Sequence, residues 1–162
     1  MSQGAQKNKL PPFDASEFRV GIVVAQFNAD ITDALLESAL QAAKQFKIPE
    51  KNITIHRVAG SIEIPVILKT LAEHHAPGGG RYEALVALGA IIRGETDHYE
   101  YVAKIVSEGV RQVMLDDIGI PIGFSVLTCD TEAQARARLN IGADALAAAL
   151  HSAKIIRDVQ ST

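Results

Sequence analysis

The chain has 162 residues, 48% hydrophobic and 22% charged, which suits one domain with a real core and excludes a disordered chain. A net charge of −3 and a pI near 5.9 exclude the basic excess expected of a general nucleic-acid or membrane surface. A single cysteine, Cys129, excludes an internal disulfide framework and a cysteine-built zinc site, and fits a reducing cytoplasm.

Residues 1–18 lack the apolar centre of a signal peptide and read as a flexible arm, with residues 19–162 as a single domain. No apolar run approaches the ~20 residues needed to cross a bilayer. Residues 19–27, rich in Val and Ile, read as a strand buried on both faces. A polar break follows, in which Asp30 or Thr32 is expected to cap the next helix. Leu35, Leu36, Ala39, Leu40, Ala43 and Phe46 then recur at helical spacing. Residues 52–60 form a second strand that ends at Gly60. A helix starts at residue 61, with Pro65 tolerated in its first turn. Pro77 and three glycines make residues 76–82 a loop. Residues 82–90 are the third and central strand, 98–116 a long helix, and 120–129 a fourth strand. The remainder is helical at both ends with a break at residues 139–142.

Strands alternating with helices predict a parallel sheet covered on both faces, a three-layer αβα sandwich with four strands. Ligands of such sheets bind beyond the carboxyl ends of the strands. Each strand delivers functional side chains there: Phe27 and Asn28, then Gly60 to Glu63, then Ile92 to His98, then Phe124, Thr128 and Asp130. Gly94 and Thr96 precede a helix whose first amides carry partial positive charge, a place suited to phosphate. The loop is neither GxxxxGK[ST] nor GxGxxG.

Several residues admit two readings. His98, in the first helical turn, is either a proton acceptor kept neutral by the helix dipole or a surface capping residue. Arg136 and Arg138 either reach an anion or belong to a solvated helix face. Glu63 is a hydroxyl acceptor or a charge placed to suit a helix start. Phe27 stacks on a planar ring or fills the core. His56 reads as structural, His74 and His75 as exposed, and Cys129 as a small buried residue rather than a nucleophile. No His/Asp/Glu pair has metal-ligand spacing such as HExxH.

The linked motifs AQFNADIT, VAGSIEIP, ALGAIIRGETDHYEYV and PIGFSVLTCDTEAQARAR resemble the lumazine synthase family of riboflavin biosynthesis, in order and spacing from about Arg19 to Arg138. The resemblance implies a flavodoxin-like fold. It implies condensation of 5-amino-6-(D-ribitylamino)uracil with 3,4-dihydroxy-2-butanone 4-phosphate to 6,7-dimethyl-8-ribityllumazine, phosphate and water, with no cofactor or metal. In that reading Phe27 stacks on the pyrimidine beside Asn28, and Ser61, Ile62 and Glu63 hold the ribityl chain. Ile91 and Ile92 line the ring pocket. Gly94, Glu95 and Thr96 form the phosphate loop, and His98 transfers protons. Phe124 and Arg138 reach the pocket from a neighbouring subunit, Arg138 pairing with the phosphate.

The family forms homopentamers with active sites between neighbours, and some members build shells of sixty subunits. A non-catalytic flavin-binding or shell-forming paralogue of the same fold is the alternative. The presence of His98 and Arg138 favours the enzyme. Departures from the family pattern are Ala59 where Pro is common, Ser61-Ile62 where Ala-Phe or Ala-Tyr is common, and Glu95 in place of a small residue. After Arg138, a Gly- and Lys-rich stretch is replaced by LNIGADAL, about five residues shorter and lacking the lysine. The altered break favours a pentamer over a shell.

Overall fold

In the computed structural model, which describes residues 10–116 and 119–162, all six residues of β1 (Val20–Ala25) are buried. A strand buried on both faces needs two covers, and the rest of the chain supplies them. The order is β1, α1 (Ala29–Gln45), β2 (Ile53–Val58), a 3₁₀ turn (Ser61–Glu63), α2 (Ile64–Glu73), β3 (Ala84–Ile92), α3 (His98–Leu115), β4 (Ile122–Cys129), α4 (Glu132–Arg136) and α5 (Ile141–Gln160). The four strands are all parallel, in the order β2-β1-β3-β4.

The period of two along the central strands sorts their side chains between the covers. Val20, Ile22, Val24, Val86 and Leu88 face α1 and α5, whereas Val23, Ala25, Leu85, Ala87 and Val126 face α2 and α3. This is the expected three-layer, flavodoxin-like sandwich. From β1 the chain steps outward to β2 and then returns to the other side of β1 to form β3. The topological switch point, where such sheets open a ligand crevice, therefore lies between the carboxyl ends of β1 and β3.

Local expectations fared unevenly. Pro65 does sit in the first turn of α2. The break in the last helical segment is a turn over residues 137–140, between α4 and α5, which takes in the first two residues of the LNIG stretch. The cap of α1 is different from the expected one. Asn28, in the left-handed region at φ 60°, is the N-cap, and neither Asp30 nor Thr32 fills that role. Thr32 is buried and donates its hydroxyl to the Ala25 carbonyl (2.7 Å), while Asp30 pairs with Arg136. Both side chains were captured by partners outside the local turn.

Of the arm expected over residues 1–18, residues 1–9 lie outside the described residues. The later part is packed on the body. Ala15 and Phe18 are buried, the Ala15 amide donates to the Phe46 carbonyl (2.9 Å), and Phe13 makes edge contacts with Phe18, Phe46 and His151.

Candidate functional site

A cavity of about 450 Å³ opens at the switch point between β1 and β3. Its first wall comes from the turn after β1. The Gln26 and Phe27 amides continue the sheet ladder by donating to the Val58 and Ala59 carbonyls (2.8 and 3.1 Å). The Phe27 ring is then left 72% exposed. A ring this exposed at the rim of a cavity is not core filling, and its face is open to a ligand. Asn28 Nδ2 donates to the Ala90 carbonyl (2.9 Å), tying this turn to β3 across the crevice.

The second wall is the 3₁₀ turn after β2. Ser61 is buried, Ile62 is partly exposed, and all of Gly60 to Glu63 line the cavity. Glu63 Oε2 accepts a hydrogen bond from the Gly60 amide (2.8 Å). The carboxylate thus closes its own turn, which fixes its position at the cavity wall. Both readings of Glu63 are served by this geometry, since only one of its oxygens is so used.

The floor and third wall come from β3 and the start of α3. Ile91 and Ile92 end the strand, and Gly94, Thr96 and His98 follow on the cavity surface. A Cβ at Gly94 would meet nothing within 4 Å, so the loop leaves open space at that point. Asp97, the N-cap of α3, makes no side-chain capping bond, and Thr96 Oγ1 accepts only a long one from the His98 amide (3.4 Å). A helix start with weakly engaged first amides retains its positive partial charge. Glu95 is exposed and does not line the cavity.

Two of the expected residues stand elsewhere. Phe124, 41% exposed on β4, lines a different and larger cavity of about 810 Å³ between β4 and α5, with Met114, Ile122 and Ile141. That groove is bigger but mostly apolar, and it lacks the convergent donors of the β1–β3 crevice. Arg138, just past α4, also lies outside the crevice. Its guanidinium donates to the Gln134 carbonyl (2.7 Å), and no carboxylate pairs with it among the described residues. Arg136, by contrast, is engaged by Glu132 and Asp30, in that order of effect, and both hold its pKa above the ordinary value. Cys129 is buried, and burial pushes its thiol up, away from the nucleophilic thiolate.

The crevice also contains Ala90, Tyr99 and Val102, which were not singled out from the sequence, and Ala59, which was noted there only as a departure from the family pattern. Tyr99 and Val102 were readable in principle. They sit one and four residues after His98, on the first turns of a helix whose start was already placed at the site.

The family model for 6,7-dimethyl-8-ribityllumazine synthase matches residues 17–157. A 6,7-dimethyl-8-ribityllumazine synthase of Saccharopolyspora erythraea is 44% identical, with 98% of this chain and 93% of that one covered. The protein of the same description from Frankia casuarinae is 41% identical over 97% of this chain and 96% of its own length. That from Thermobifida fusca is 40% identical over 91% and 85%.

Proposed function

The chain belongs to the 6,7-dimethyl-8-ribityllumazine synthase family, and from that premise we propose that it condenses 5-amino-6-(D-ribitylamino)uracil with 3,4-dihydroxy-2-butanone 4-phosphate. The products are 6,7-dimethyl-8-ribityllumazine, phosphate and water. The observation that carries this reading is the convergence of an exposed aromatic face, an open helix start and an imidazole on one crevice at the switch point.

In this proposal the pyrimidine stacks on Phe27, between Asn28 and the Ile91–Ile92 floor, and the ribityl chain runs along Ser61, Ile62 and Glu63. The phosphate of the second substrate sits at Gly94 and Thr96, against the amides that open α3. The amine attacks the ketone, water leaves to give an imine, phosphate is eliminated, and ring closure releases the second water. Each of these steps moves protons, and His98, in the first turn of α3, is the group placed to take and return them. Holding both reactants in one crevice supplies much of the remaining rate.

Among the described residues lining the crevice there is no arginine or lysine. A dianionic phosphate held only by amides lacks a counter-charge. We therefore assign that charge to Arg138 of a neighbouring copy, with Phe124 of that copy closing the ring pocket. Their location on the β4–α4 side of the chain, outside its own crevice, supports a shared site, and the homopentamer is the assembly that the family resemblance implies. The reducing cytoplasm is the compartment we assign, in keeping with one buried, unpaired cysteine.

A spectroscopic assay with both substrates at micromolar protein, run beside light scattering, tests the proposal. The lumazine chromophore should appear, from a species of pentameric mass. A folded pentamer that makes no chromophore would overturn the synthase reading in favour of a non-catalytic paralogue.

A further inference from the structure

Arg93 lies between two residues that line the crevice, Ile92 and Gly94, yet it does not line the crevice itself. Its contacts run outward to the end of β4 and to α3. Its amide donates to the Cys129 carbonyl at the end of β4 (2.9 Å). Its Nε donates to Asp130 Oδ1 (2.9 Å), and its Nη1 to Glu100 Oε1 in the first turn of α3 (3.4 Å). Its guanidinium carbon lies 4.3 Å over the centre of the Tyr99 ring, and Tyr99 does line the crevice.

The chain of contacts continues from Asp130. The Asp130 amide donates to Gln134 Oε1 (2.9 Å), and the Gln134 carbonyl accepts from Arg138 Nη1 (2.7 Å). One unbroken run therefore joins the Gly94–Thr96 loop to Arg138.

We infer that Arg93 is a positioning residue for anion binding. It fixes the Gly94–Thr96 loop against α3 and the end of β4, and through Asp130 and Gln134 it sets Arg138 on the same frame. The inference rests on the reading that this loop takes the phosphate of its own crevice and that Arg138 takes the phosphate of a neighbouring one.

The geometry requires arginine in particular. A planar fork can meet Asp130 with one nitrogen, Glu100 with another and Tyr99 with its face, whereas an ammonium is a point charge that cannot do all three. The Arg93 side chain is 42% exposed and its carboxylate partners more so, and exposed pairs add little to stability. The effect of Arg93 is therefore on placement rather than on folding.

The test compares the wild type with Arg93→Ala, Arg93→Lys and Asp130→Asn, using steady-state kinetics for each substrate and calorimetric titration with inorganic phosphate. Arg93→Ala should raise KM for the phosphate-bearing ketone roughly 10-fold while KM for the pyrimidine moves about 2-fold or less, since misplacement of a binding loop acts on what that loop binds. Phosphate affinity should fall in parallel, Arg93→Lys and Asp130→Asn should fall between, and the melting temperature should barely change. Equal changes in both KM values, or phosphate affinity unchanged in Arg93→Ala, would overturn the inference. If the wild type makes no chromophore, the synthase reading fails, but the phosphate titration still decides the role of Arg93. If Arg93→Ala does not fold, Arg93→Lys and Asp130→Asn carry the same comparison.

Discussion

Arg136 and Arg138 are two residues apart and chemically identical, yet the structure gives them different work. Arg136 is held by Asp30 and Glu132, which closes α4 onto the start of α1. Among the described residues, the Arg138 guanidinium makes only one bond, to a backbone carbonyl. An arginine without a carboxylate partner keeps its charge available for an incoming anion. Arg138→Ala should therefore raise KM for the butanone phosphate by roughly 10-fold or more, the scale of a lost charge-assisted contact, with a much smaller rise for the pyrimidine. Arg136→Ala should change neither KM in that selective way. Steady-state kinetics with each substrate varied in turn checks both, and equal shifts for the two substrates in Arg138→Ala would remove the phosphate role. His98 belongs to the same scale. His98→Ala should lower kcat by ~10- to 1000-fold, the usual size of a general acid–base contribution. An unchanged kcat would take His98 out of the mechanism.

At the scale of elements, the close approaches of α5 fix the layer that carries α4 and Arg138. A Cβ at Gly142 would fall 2.1 Å from the Leu35 carbonyl oxygen of α1, and one at Gly123 would fall 2.3 Å from the Ala145 carbonyl oxygen of α5. Both neighbours are backbone, so no rotamer change relieves the contact, and the elements themselves must move apart. Gly142→Ala and Gly123→Ala should each cost about 1–3 kcal/mol, the range for overpacking a close-packed core. Gly94→Ala, which points into open space, should leave the urea midpoint unchanged. A matched loss of stability in all three would mean that close packing is not what these glycines serve.

The same scale shows why some elements were legible and others were not. The strands could be read because β1 and β3 are buried on both faces, which leaves continuous Val, Ile, Leu and Ala runs. The strand-end rule then placed Phe27, Asn28, Ser61, Ile62, Glu63, Ile92, Gly94, Thr96 and His98 together without any coordinate, and the family resemblance added Ile91. The cap of α1 could not be read. Local rules favour Asp30 and Thr32, but a partner on α4, far along the chain, takes Asp30, and the end of β1 takes Thr32. The outward bridge from Arg93 was hidden for the same reason. Its carboxylate partner Asp130 is brought alongside only when β4 pairs with β3.

At the scale of the whole molecule, the resemblance to a family supplied what a single chain does not display. Phe124 and Arg138 were expected to serve the pocket, and in this chain neither lines its own crevice. If the site is shared around a ring, the two halves of its machinery can be supplied by different subunits. A His98→Ala subunit still offers Arg138, and an Arg138→Ala subunit still offers His98. When the two variants are unfolded together and reassembled as an equal mixture, a site needs intact His98 from one copy and intact Arg138 from its neighbour. Random closed rings would then restore up to about one quarter of the wild-type sites, since each requirement is met about half the time. Assayed with the butanone phosphate well below its KM, activity should rise well above the mean of the two parent variants, and mixing the separately assembled proteins without exchange should give only that mean. A reassembled mixture that stays at the mean, with both variants shown to assemble, would place His98 and Arg138 in the same subunit's site. It would then leave the crevice of a single chain to find its counter-charge elsewhere.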